Sequence, residues 1–60
     1  MLHLSEILIE NHELLNFEQL VEMVKQRSQE TEERFFRMDV RPPFPDTPEN
    51  WEDRLEAAFY

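Results

Sequence analysis

The sequence predicts an all-α fold: a short N-terminal helix, a long central helix over about 17–39, a Pro-rich connector and a short C-terminal helix over about 48–59, paired as an antiparallel helical homodimer. Three observations predict it. Apolar or small residues recur at Phe17, Val21, Val24, Ser28, Thr31, Phe35 and Met38, alternating steps of four and three that keep one stripe of a helix facing a partner helix. The chain has no glycine, so tight turns needing positive φ fall to Asn or Asp, and the composition favours helices. It is 60 residues long without a cysteine, which excludes disulfides and thiolate metal sites as staples. A lone domain of that size buries only about 60% of the surface its unfolded chain exposes, so association remains as a source of stability.

The elements follow in order. Leu4, Ile7, Leu8 and then Leu14 or Leu15 suit a short amphipathic helix from about Glu6 to Leu14 that Ser5 can cap. Leu2, Leu4 and the β-branched pair Ile7 and Ile9 also suit a strand. Asn16 offers an N-cap to the central helix, with Gln19 three residues on to complete a capping box. From Phe17 to Val24 the stripe is dense, and Leu20 and Met23 broaden it into a wide apolar face. Lys25 to Arg34 contains no apolar residue, but it lacks Pro and Gly and offers the favourable i,i+4 pairs Glu30 to Arg34 and Glu33 to Arg37. It therefore reads as helix continuous with both flanks.

Pro42 stops that helix, because it disfavours the α conformation of Arg41 and lacks the amide to extend the ladder. Arg37 and Arg41 complement the helix dipole near that end. Arg41 to Asp46 reads as an extended, polyproline-like connector. Thr47 is then the expected cap of the last helix, with Pro48 at its first position and Glu49, Glu52 and Asp53 loading its N-terminal turns with negative charge. Trp51, Leu55, Ala58 and Phe59 form its apolar face.

A helix over 17–39 is about 34 Å long at 1.5 Å per residue, whereas a compact 60-residue chain has a radius of gyration of roughly 10 Å. The apolar ends of such a rod cannot share one core within a single chain. Two copies crossing antiparallel near Ser28 resolve this, setting Phe17 opposite the partner's Met38 and Val21 opposite the partner's Phe35. The expected dimer interface is thus Phe17, Leu20, Val21, Val24, Ser28, Thr31, Phe35 and Met38. Acids cluster in Met1 to Val24, which has no Lys or Arg, and all but one of the bases lie in Lys25 to Arg41, so antiparallel pairing also aligns opposite charge.

Composition excludes several functions. The apolar run Ile7 to Ile9 falls far short of the roughly 20 residues that span a bilayer, and flanking Glu6 and Glu10 break any secretory segment, so the expected compartment is cytoplasmic and no membrane partner is expected. Without glycine there is no phosphate-cradling loop. Six bases against 14 acids give a net charge of −8, which disfavours direct nucleic-acid binding.

Catalytic and metal constellations are missing as well. His12 lacks a carboxylate or second His one helical turn away, and His3 has only Glu6. The acids Glu30, Glu32, Glu33, Glu49, Glu52 and Asp53 read as solvated or dipole-compensating groups rather than a catalytic pair. No enzyme activity, metal or cofactor is expected. Pro42-Pro43-Phe44-Pro45 matches common proline-rich ligand patterns, but its simpler role is to redirect the chain and let Phe44 pack.

The residues thus predict one helical interaction domain over 1–60, an acidic homodimeric adaptor or modulator of a larger machine, with itself and another protein as partners. Phe44, Trp51, Arg54 and Tyr60 are the candidate partner surface, since aromatic and Arg residues dominate binding hot spots. The rival reading is an acidic nucleic-acid mimic that occupies a basic groove of a DNA- or RNA-binding protein. A third is an architectural DNA binder using Lys25, Arg27, Arg34, Arg37 and Arg41 across the dimer. The size and composition fit an accessory chain of a bacterium or bacteriophage.

Overall fold

Leu2 and Phe36 lie 34 positions apart in sequence yet are paired neighbours in a parallel two-stranded sheet, and that pairing sets the architecture. The computed structural model describes residues 1–60. Strand β1 (Leu2–His3) leads directly into helix α1 (Leu4–Glu10). A turn at 11–16 leads to helix α2 (Phe17–Glu30), an extended return over 31–35 feeds strand β2 (Phe36–Arg37), and the Pro-rich connector precedes helix α3 (Trp51–Phe59). Parallel strands need a crossover, and here α1 and α2 together supply it.

The N-terminal segment uses both of its periodicities. Leu2 is buried on the strand, and Leu4 and Ile7 are buried on the helix that follows it without a break. Ser5, expected as a cap, instead sits inside α1, and His3 takes the cap position. The start of α2 agrees with its sequence signal at the Asn16 cap, but the return bond expected of Gln19 in a capping box falls one residue earlier. The Asn16 side chain accepts from the Gln19 amide at 2.9 Å, and the Gln19 side chain reaches back to the Leu15 amide at 2.7 Å.

The expected all-α class and the unbroken helix over 17–39 are corrected by what happens at Thr31. This residue leaves the helix with φ −93° and ψ 153°, its amide still bonded to the Arg27 carbonyl, and its hydroxyl accepts from the Glu33 amide at 3.2 Å. A β-branched residue with a hydroxyl that serves the next turn is a poor link in a helix. The energetics favour the break. The i,i+4 pairs beyond Thr31 are worth about 0.2–0.5 kcal/mol each, whereas burying Phe36 contributes about 1.5–3 kcal/mol.

The chain therefore doubles back. A 34 Å rod would exceed the longest dimension of the molecule, which measures 30 × 23 × 18 Å with a radius of gyration of 10.3 Å. One core unites Leu2, Leu4, Ile7, Phe17, Leu20, Val24, Phe36, Leu55 and Phe59, so the two apolar ends of the supposed rod meet within one chain. The antiparallel pairing of two long helices rested on their separation and loses that ground.

The last helix begins later than its signals imply. Thr47, expected as its cap, donates its hydroxyl to the Pro42 carbonyl at 3.4 Å, and Asn50 takes the cap position. Pro42 is itself buried, so the connector lies over the core rather than hanging free. Leu55 and Phe59 of α3 pack into the core formed with Phe17, Leu20 and Val24 of α2, and the Phe59 ring stacks on Phe36 with centroids 5.0 Å apart. No helix is long and apolar enough to cross a membrane.

Candidate functional site

The surface features of the molecule divide between two places. One is the exposed side of β2 and the segment around it. Strand alternation sends Phe36 into the core, 8% exposed, and turns its neighbours Phe35 and Arg37 outward. Phe35 is 64% exposed. Its carbonyl accepts from the Leu2 amide at 2.9 Å, which brings exposed Met1 alongside. Tyr60, 69% exposed, lies on the other flank, where its hydroxyl accepts from the Phe36 amide at 3.2 Å. Aromatic and aliphatic surface thus collects beside a very small sheet.

Cations gather in the same segment. Arg27 pairs with Glu10 at 3.3 Å and Arg54 pairs with Glu18 at 2.8 Å, but Arg34, Arg37 and Arg41 are exposed and have no carboxylate partner. In a chain with 14 acids, three unpaired arginines within eight residues make a local reversal of the overall charge.

The second place is the outward side of α2. Glu13, Glu18 and Glu22 surround a shallow, open depression of about 530 Å³ that Leu14 and Met23 also line. Glu18 is already committed there. Its hydrogen bonds from Arg54, 2.8 and 3.1 Å long, hold its carboxyl below the usual carboxylate range and push the Arg54 guanidinium higher still.

The sequence-predicted residues separate accordingly. Of the expected interface, Phe17, Leu20 and Val24 are buried in the protein's own core, and Val21 and Met38 are half-buried against it. Ser28 donates its hydroxyl to the Lys25 carbonyl at 2.6 Å, Thr31 terminates the helix, and Phe35 alone is fully outward. Of the expected partner surface, Phe44 and Trp51 are half-buried against the core. Arg54 is an internal brace, bonded to Glu18 with its guanidinium carbon 5.2 Å from the centre of the Phe17 ring. Tyr60 stands on the surface with Phe35, at the far end of α3 from where a helix face would have put its companions.

Two carboxylates do structural work that spacing did not reveal. Asp39 accepts from both the hydroxyl and the amide of Ser5, at 2.7 and 3.1 Å, in the first turn of α1. These bonds, the hydroxyl first, hold its pKa below the ordinary value. Asp46 accepts from the Phe17 amide at the start of α2, at 3.0 Å. Each neutralises an amide that a helix N-terminus leaves unbonded. The only sequence signal was an acid placed near prolines in a segment that had to cross back over the core.

For chemistry the arrangement offers little. His3 Nδ1 is 3.0 Å from Glu6, His12 is exposed, and no group of three His, Asp or Glu side chains is placed to hold a metal ion. No protein-family model matches the chain, and comparison with curated proteins and with solved structures gave no match. Similarity therefore lends nothing to the expectation of a bacterial or phage origin.

Proposed function

We propose that the chain is a protein-protein interaction module that acts by binding rather than by catalysis, as an adaptor or modulator of a larger assembly. The observation that carries this reading is the outward Phe35, next in the chain to the Phe36 amide that the exposed Tyr60 hydroxyl bonds, and flanked in sequence by unpaired arginines. Large aromatic side chains left exposed on so small a molecule, with Arg nearby in the chain, have the composition of a binding hot spot. The contact surface is thereby moved from the face of α3 to the exposed side of β2.

A second reading, the acidic nucleic-acid mimic, is favoured by the Glu13, Glu18 and Glu22 side of α2. One experiment separates the two. A photo-crosslinking amino acid is placed at position 35 in one variant and at position 22 in another, and adducts are compared in the native host. The module reading expects a discrete protein adduct from position 35 that is lost when Arg37 is changed to Glu. Adducts from position 22 alone, to a DNA- or RNA-binding protein and competed by duplex DNA, support the mimic and overturn the module.

A further inference from the structure

We propose that β2 takes up an extended, acidic peptide segment as an added strand, with the Tyr60 hydroxyl holding the docking position until the segment arrives. This deepens the interaction-module reading and rests on it.

The backbone register supplies the site. Leu2 is paired with Phe36, and the Leu2 amide donates to the Phe35 carbonyl, so in a parallel ladder the Phe36 amide points away from β1. That amide is a strand-edge donor, and its partner is the Tyr60 phenol at 3.2 Å rather than another backbone. A side-chain hydroxyl from an exposed residue is easily exchanged for the carbonyl of an incoming strand, which brings a better aligned acceptor. Strand addition of this kind takes its affinity from main-chain bonds and its selectivity from alternate side chains.

The side chains around the edge state the selectivity. Phe35 and Arg37 stand on one face of β2, two residues apart, and offer an apolar contact and a cation at strand spacing. Arg34 and Arg41, also unpaired and exposed, extend the positive charge along the same segment. An occupant that complements them carries carboxylates at alternate positions with apolar residues at the same period. A nucleic-acid strand would be drawn by the same arginines, but Glu32, Glu33 and Asp39 are interleaved with them, and a continuous row of phosphates would meet those acids. Carboxylates at alternate strand positions can be set in register with Arg37, and the Phe36 edge donor, held only by the Tyr60 hydroxyl, is aligned for a peptide carbonyl rather than a phosphate.

The test titrates the isotope-labelled full chain with a blocked peptide of about six to eight residues alternating Glu and Val, the same peptide with Lys for Glu, and an oligothymidylate of equal charge. The expected result is saturable binding of the Glu peptide, with amide shifts over residues 34–41 and slowed exchange at the Phe36 amide. Binding of the Lys peptide should be weaker by about tenfold or more, and R37E should reduce Glu-peptide binding by about the same factor, the scale of one charge-assisted hydrogen bond. Tyr60→Phe removes the competing hydroxyl and should tighten binding while leaving the fold unchanged.

The proposal is overturned by no saturable shift, by equal binding of the two peptides, or by shifts confined to α2. It also fails if the oligothymidylate binds as tightly, if Tyr60→Phe weakens binding, or if the labelled chain shows only a self-association that no peptide affects. Should the peptides fail while position 35 still crosslinks to a protein, the module reading stands and only the partner class is wrong. Without that crosslink both fall.

Discussion

Asp39 and Asp46 show how single side chains hold this small fold together across sequence. Both lie beyond β2, and each bonds one first-turn amide of a helix distant in sequence: Asp39 at Ser5 and Asp46 at Phe17. The consequence for pH is definite in sign. Because the Ser5 hydroxyl and amide favour the charged form of Asp39, its pKa in the fold lies below the value of about 4 that it has in the unfolded chain. Its contribution is complete above that unfolded value and is lost as pH falls through the lower, folded one. Asp39→Asn should therefore be less stable than the natural chain by a constant margin from pH 5 upward. Urea unfolding at pH 7 and pH 3 should show that margin narrowing in acid, and an unchanged margin at pH 3 would contradict the assignment.

At the scale of elements, the reversal at Thr31 governs what was legible. The start of α2 could be read at Asn16, which caps the Gln19 amide as its spacing implies, while the return bond of Gln19 falls one residue earlier than a capping box puts it, on the Leu15 amide. Asn16→Ala should cost about 1 kcal/mol, the usual worth of an N-cap, measured as a shift in the urea midpoint at constant slope. The end of α2 could not be read, because Glu30, Glu32, Glu33 and Arg34 are sound helix residues and only tertiary burial of Phe36 decides against them. Hydrogen exchange locates the boundary. Amides over 22–30 should exchange as a protected helical unit, and those of Glu32 and Arg34 should exchange as an exposed loop. Protection running unbroken to Arg37 would restore the long helix.

The same competition explains the candidate site. Phe35 and Phe36 are chemically identical, and a helical period of four and three assigns Phe35 to the buried stripe. A strand period of two puts Phe36 inside with Leu2 and sends Phe35 out. Which period applies is set by a pairing 34 residues distant, to which no local window has access. The sequence presents Arg54 as a surface anchor for the same reason, since nothing near it in the chain shows Glu18 and Phe17 across the interface with α2.

For the whole molecule, the outcome is one core of nine buried apolar residues shared by all five elements. A domain of this length has a stability of only about 3–9 kcal/mol at 0.05–0.15 kcal/mol per residue, so loss of one central side chain is decisive. Leu20→Ala, at a fully buried position between α2 and α3, should cost about 2–5 kcal/mol and leave a largely unfolded chain by circular dichroism at 37 °C.

The chain doubles back so that Phe36, and not Phe35, fills the core. Paired urea melts of Phe35→Ala and Phe36→Ala test it most directly. The fold predicts that Phe36→Ala loses about 3–5 kcal/mol while Phe35→Ala stays within about 0.5 kcal/mol of the natural chain. A large loss for Phe35→Ala with little for Phe36→Ala is the result of a continuous helical stripe and would rule out the doubled-back chain.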